Sequence, residues 1–250
     1  MQGGYACLLI PMNPAMNMPN NPTFADKVIA FNRKLKLDKQ LPEGIRVMNP
    51  FTENPEALSI SSAFYKKYYD DHRMRHLILG INPGRFGAGV TGIPFTDTKR
   101  LVGKCGLHME GRSTHEPSSV FVYEVIDACG GPAAFYRDFY INSPCPLGFV
   151  KTNSNGKEVN FNYYDSKALQ NLLTDFMAET VQTHISMGIH TDVAFCMGSG
   201  RNYQFLSYLN ERHQFFERLI PLEHPRYVMQ YKSKHKDFYI EKYRKALLGS

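Results

Sequence analysis

No stretch of this 250-residue chain approaches the ~20 consecutive apolar residues that a membrane-spanning helix needs. The early apolar run CLLIP, from Cys7, is too short for a signal sequence and has no basic lead, so a cytoplasmic protein is expected. Cysteine is scarce: five residues, at 7, 105, 129, 145 and 196, odd in number and without a C-x-x-C pair. Such spacing argues against zinc, iron–sulfur clusters and a disulfide framework, and reads as reduced thiols. His72 and His76 have the i, i+4 spacing of a metal pair, but Arg73 and Arg75 crowd them and His76 begins an expected strand. No metal and no cofactor is expected. Also missing are a G-x-S-x-G nucleophile elbow, a Walker Gly-Lys-Ser/Thr, an uninterrupted dinucleotide fingerprint and a paired-carboxylate signature.

What is present fits one substantial domain. The apolar fraction is 43%, with 17 Phe and 15 Tyr, ample for a buried core in a chain of this length. Basic residues outnumber acidic ones, 29 to 23, giving a net charge of +6. That balance is compatible with a polyanionic partner without requiring one. Position says more: Lys232, Lys234, His235 and Lys236 cluster directly after the unusual segment LEHPRY. The Pro- and Asn-rich opening reads as an N-terminal arm, residues 1–23, ahead of a single core of about 24–247.

Apolar periodicity predicts helices over 24–37, 55–70, 119–128, 133–138, 164–186, 201–211 and 237–247. Short apolar runs predict strands at 45–48, 77–79, 139–142, 192–197 and 217–222, with a polar turn at NSNGKE. Strands alternating with helices imply βαβ units. The expected fold is α/β, a central, mostly parallel, four-stranded sheet flanked by helices on both faces. Ligands bind such sheets beyond the carboxyl ends of the strands. GINPG, INSPCP and LEHPR each follow a strand, and should meet at one edge despite their separation in sequence.

Taken alone, Asn82 in GINPG is a turn residue or a functional amide, and the glycines around it could serve positive φ or cradle a phosphate. Asn142, at the next strand end, presents a donor and an acceptor side by side. That edge matches the N3–H and O4 of uracil and offers the wrong pattern to cytosine. His224, before Pro225 and Arg226, suits a donor aimed at developing negative charge. Phe95 is either core or a stacking surface for a base. These groups make a poor amide hydrolase. They suit a reaction in which the leaving group departs as an anion while water is merely held, such as cleavage of an N-glycosidic bond to an acidic base.

At this point the residues resemble a known family. GINPGRFGAGVTGIPF is similar to the first motif of the SMUG-type, single-strand-selective monofunctional uracil-DNA glycosylases, which read G-M-N-P-G-P-F-G with T-G-V-P-F shortly after. VFVYEVIDACGGPAAFYRDFYINSPCPLGFV resembles the family's helix, Cys-Gly turn and strand leading into N-x-C-P-L, and IRVMNPF, AFCMGSGR and LEHPR fall where it has matching strands and loops. The likeness spans roughly residues 25–245. It implies a uracil-DNA glycosylase-like fold and a hydrolase of N-glycosyl bonds that acts as a monomer on DNA containing a damaged base, single- or double-stranded, away from any membrane. Asn82 would position the attacking water, Phe95 would stack on the flipped base, and Asn142 would read its edge. His224 would donate to O2 of the departing anion, and the backbone around Ile81 and Gly84 would line the pocket. Arg226, with Tyr227, would wedge into the duplex gap, while Lys232, Lys234 and Lys236 contact phosphates.

The chain departs from the family pattern in three places. H-P-R is two residues shorter than H-P-S-P-R; INSPCP carries one residue more between Asn142 and Cys145; Arg85 replaces a proline and Ala88 a larger residue. These mark a divergent, bacterial-type branch for which hydroxymethyluracil and deaminated purines join uracil as candidate substrates. Two other readings stand beside it: a non-catalytic binder of damaged or single-stranded DNA, and a small-molecule nucleotide-binding α/β protein that uses GINPG as a phosphate loop.

Overall fold

The computed structural model describes residues 19–111 and 113–249. Most of the expected N-terminal arm, with Cys7, lies outside the described residues. The chain begins with α1 (Phe24–Lys34), β1 (Ile45–Met48), α2 (Pro50–Glu53), α3 (Pro55–Tyr69) and β2 (His76–Leu79). Two small helices, α4 (Ala88–Thr91) and α5 (Thr98–Cys105), precede α6 (Pro117–Ala128), α7 (Gly131–Asp138) and β3 (Phe139–Asn142). A hairpin of β4 (Gly148–Thr152) and β5 (Glu158–Phe161) leads through one 3₁₀ turn into α8 (Lys167–Ser186) and β6 (Val193–Met197). The chain then forms α9 (Arg201–His213), β7 (Arg218–Leu222), α10 (Pro225–Tyr231) and α11 (Lys236–Leu248).

Local chemistry sets these boundaries. Thr23 and Asp26 form a capping box at the start of α1. Asn49-Pro50 and Asn54-Pro55 each place an Asn side chain as acceptor at a helix N-cap and a proline at the first helical position, so one pair ends β1 and both start helices.

The central sheet is the expected one: four strands in the order β3-β2-β6-β7, all parallel. β3 and β6 are buried along their whole length, as strands covered by helices on both faces must be. At the start of β2 the fully buried Arg75 guanidinium lies between the rings of Phe24 (4.8 Å) and Tyr69 (4.7 Å) and forms a two-pronged pair with Asp71 (3.0 and 2.9 Å). The neighbouring histidines part company. His72 reaches Asn21, and His76 opens β2 with its ring stacked on His190 at 4.6 Å. Among the described residues no group of three His, Cys, Asp or Glu could hold a metal ion. The four described cysteines are free and buried, and burial pushes the Cys145 and Cys196 thiols up to about 12.

A second sheet was not expected from the sequence. β1, β4 and β5 pair antiparallel in the order β1-β4-β5. The supposed polar turn at NSNGKE is the tip of the β4–β5 hairpin. Asn153 Oδ1 accepts the N–H groups of Asn155 (3.0 Å) and Lys157 (2.9 Å), and Gly156 takes the left-handed φ of +70°. The basic loop expected after His224 is also ordered, its first part being α10.

Candidate active site

The three strand-end segments do converge. Beyond the carboxyl ends of β2, β3 and β7 lies a cavity of about 840 Å³ whose lining includes Asn82, Phe95, Asn142 and His224. Ile81, Gly84, Arg226 and Tyr227 line it as well, whereas Lys232, Lys234 and Lys236 do not.

Asn82 sits three residues past β2, and its amide is held from outside the central sheet. Nδ2 donates to the Phe161 carbonyl at 3.2 Å, and Oδ1 accepts the Tyr163 N–H at 3.1 Å. The second sheet thus orients the side chain, leaving one N–H and one lone pair free for the cavity. Tyr163 is itself fixed, since its buried hydroxyl donates to Asn202 Oδ1 at 2.6 Å. Asn202, at the start of α9, donates through Nδ2 to the carbonyls of Gly80 (3.3 Å) and Met197 (3.1 Å), tying the ends of β2 and β6 together.

Gly80 permits a close approach. A Cβ there would stand 3.1 Å from the Phe95 ring, which packs over this strand end. The Phe95 ring lies 5.9 Å from that of His224, tilted by 51°. Phe95 also has a left-handed backbone, φ 51°, which costs a bulky residue on the order of 1 kcal/mol or more. Hydrogen bonds on either side hold it there. Thr91 Oγ1 donates to the Thr96 carbonyl at 2.7 Å, and the Thr96 N–H donates to the Ile93 carbonyl at 3.2 Å.

Asn142 ends β3 and is only 4% exposed. Its Nδ2 donates to the Tyr140 hydroxyl, on the same face of the strand, and its Oδ1 accepts the Ser143 N–H at 2.8 Å. These two bonds fix which end of the amide is which. Ser143 presents its hydroxyl to the carbonyls of Ile81 and Cys145 (2.7 Å to the latter) and accepts the Cys145 N–H at 3.0 Å, lacing the β3 end to the β2 end.

His224 caps α10. Its Nδ1 accepts the Arg226 N–H at 3.1 Å, so in the neutral ring the proton is on Nε2. Burial, and secondarily the Arg226 charge, lower its pKa from 6.5 to about 4, so the ring is a neutral Nε2–H donor at pH 7. The preceding Glu223 anchors this strand end to α11, accepting from Lys242 at 2.7 Å through its carboxylate and from the Tyr243 hydroxyl through its carbonyl.

Arg226 and Tyr227 are exposed at the mouth, and Tyr227 packs against Tyr231 at 5.6 Å. Lys234 is exposed in the 3₁₀ turn after α10, Lys232 is half-buried, and Lys236 is paired with Glu124 at 2.7 Å. Sequence reasoning missed Tyr140, Ser143, Tyr163 and Asn202. Only Ser143 carries a signal: counting back from Cys145-Pro146, it occupies the Asn position of N-x-C-P.

Residues 66–248 match the family model described as the uracil DNA glycosylase superfamily. The chain belongs to that superfamily and is an enzyme, a uracil-DNA glycosylase. Among solved structures it is similar to the crystal structure of wild-type SMUG2 of Pedobacter heparinus, with 55% sequence identity and a TM-score of 0.89. The alignment covers 91% of this chain and 99% of that one, which places the protein in the SMUG-type branch. No curated protein matches the chain.

Proposed function

We propose that this glycosylase draws the damaged base out of the helix into the 840 Å³ cavity and hydrolyses its glycosidic bond with a water held by Asn82. The observation that carries the reading is the locked His224 ring, a neutral donor beside Phe95 in the cavity that also holds Asn82 and Asn142. Extrusion costs a few kcal/mol of unstacking, offset by the new contacts. Phe95 stacks on the base, and the Asn142 amide, with Ser143 beside it, meets the N3–H and O4 edge. As the C1′–N1 bond breaks, its electron pair passes to the base and His224 Nε2–H meets the charge that gathers on O2. The sugar becomes oxocarbenium-like before water adds to C1′, so an amide that orients water suffices where a strong general base would be needed for direct attack. The water's proton passes to solvent.

The reaction is read as monofunctional, leaving an abasic site. Strand cleavage would need an amine at C1′, and among the described residues the cavity lining includes no lysine. Arg226 and Tyr227 fill the gap left in the duplex. Lys232 and Lys234 meet phosphates, and Lys236 does so at the cost of its pairing with Glu124. Uracil is the base this edge pattern fits best, with hydroxymethyluracil and deaminated purines as further candidates. The enzyme works as a monomer on single- or double-stranded DNA.

The test is a labelled oligonucleotide with one uracil, incubated with the protein and then treated with hot alkali. Strand breaks at the uracil are expected; none above control on either single- or double-stranded substrate would sink the reading. The rival, a binder without chemistry, predicts retention of the oligonucleotide with no abasic site.

A further inference from the structure

The cavity of about 840 Å³ is larger than one flipped base fills. Its lining runs outward from Asn82 and His224 along α10 to Tyr227, Gln230 and Tyr231. The packing of α10 decides which side chains reach that rim. Pro225 and Val228 are buried and the helix lies against α6, so Arg226, Tyr227, Gln230 and Tyr231 fall on the exposed face. Tyr227 and Tyr231, four residues apart, touch with their ring centroids 5.6 Å apart and their planes tilted by 43°. That contact uses one side of the Tyr231 ring, and the residue remains 66% exposed.

Folding alone gives this pair little to do. An i, i+4 contact supports a seven-residue helix only weakly, and a ring left in water adds nothing to the core. Exposed apolar side chains are ordinary when scattered singly, but clustered beside a pocket they mark a contact surface. Charge names the partner. Lys232 and Lys234 follow Tyr231 directly, and Arg226 shares its helix face. Among the described residues neither lysine is ion-paired, whereas Lys236 and Lys242 further on are held by Glu124 and Glu223. Rings interleaved with free cations suit an unpaired strand, because every base offers a π face and the cations follow the phosphates. Duplex DNA keeps those base faces inside its stack.

We propose that Tyr231, backed by Tyr227, is a stacking platform for an unpaired base next to the flipped nucleotide, a contact that single-stranded DNA makes and duplex DNA does not. It rests on the base extrusion given under Proposed function. Once a base has turned into the cavity, its neighbour on a single strand has lost a stacking partner and is free to swing onto the rim. In a duplex the same neighbour is held by pairing to the opposite strand, and Tyr231 meets no ring. Stacking on an aromatic side chain is worth about tenfold or more in affinity per base and is tolerant of sequence.

The probe is a fluorescent oligonucleotide with one 2′-fluoro-deoxyuridine, whose electron-withdrawing fluorine opposes an oxocarbenium-like sugar and keeps the base attached. Affinity is read by anisotropy, on the single strand and on its duplex, for wild type, Tyr231→Ala and Tyr231→Phe. Tyr231→Ala should weaken single-strand binding about tenfold and duplex binding by less than about twofold, while Tyr231→Phe should match wild type. In a second series the base on one side or the other of the fluoro-deoxyuridine is replaced by an abasic spacer. On one of the two sides the spacer should cost wild type about tenfold and Tyr231→Ala nothing more, the signature of a ring and a base acting as a pair. Equal weakening on single strand and duplex overturns the inference, because that is a general loss of surface. A spacer penalty of the same size in both proteins, or none in wild type, overturns it too. Excision from a plain uracil oligonucleotide is run alongside. A wild type inactive there sinks the glycosylase reading, whereas the anisotropy series decides Tyr231 on its own.

Discussion

Acid titration tests His224 as a neutral donor. Its Nδ1 is occupied by the Arg226 N–H at 3.1 Å, and burial brings the pKa from 6.5 to about 4. At about 1.4 kcal/mol per tenfold in proton affinity, this corresponds to roughly 3 kcal/mol in favour of the neutral ring. About one ring in a thousand is then charged at pH 7. Between pH 4 and 6.5 the unfolded chain binds a proton here that the folded chain does not, so stability rises with pH across that window. Above 6.5 the group contributes no slope, and below 4 the loss is complete. His184, fully buried and lowered to about 3 by burial, acts with the same sign.

The assay is single-turnover uracil excision from about pH 4.5 to about 8.5, with melting scans at each pH, for wild type and His224→Ala. The wild-type rate should show no break near 6.5 and should fail only on the acid side. The variant should lose on the order of 10²–10³ in rate, as oxyanion donors do, and part of the acid destabilisation should disappear with the ring. An activity limb falling above an apparent pKa near 6.5, present in wild type and absent in the variant, would refute the reasoning, because the charged ring would then be the working form.

Three further outcomes are expected. Asn82→Asp sets a carboxylate oxygen against the Phe161 carbonyl where an N–H now donates at 3.2 Å, and should cost about 1–3 kcal/mol in urea unfolding as well as activity. Tyr163→Phe removes the buried donor to Asn202, and should lower stability by about 1–3 kcal/mol and slow excision while oligonucleotide binding by anisotropy persists. Lys232→Ala and Lys234→Ala should each flatten the salt dependence of DNA affinity by about 0.7 on single strands, and Lys236→Ala by less, since Lys236 is already paired with Glu124.

The central sheet was legible because its strands are short apolar runs that stop at Gly, Pro or Asn, and the strand-end rule then brought Asn82, Asn142 and His224 together. The second sheet was hidden. β4 continues directly from SPCPL, and β5, EVNF, has an exposed Val159 and Asn160 that break any clean alternation. The α10 helix was hidden because Pro225 after His224 reads as a loop, whereas it is a proline at the first helical turn. Asn142 was located correctly at the β3 end, but nothing local showed that its amide is held by Tyr140 and Ser143. Tyr163 and Asn202 escaped for a common reason. Each acts through a partner on another segment, and no spacing rule connects a residue to one brought near only by folding.

The grip on Asn82 has a consequence for heat tolerance. Its amide is steered by main chain at Phe161 and Tyr163, at the end of β5, the outermost strand of the small sheet and exposed at Val159 and Asn160. Strands with so little buried surface are the first to open on warming, long before a core such as β3-β2-β6-β7 melts. When β5 lifts, Asn82 loses its bearing and Asn160 leaves the cavity wall with the strand, while Phe95, Asn142 and His224 are held by other elements. Excision is therefore expected to fall off on warming below the temperature at which the domain melts, as activity and melting scans run side by side would read.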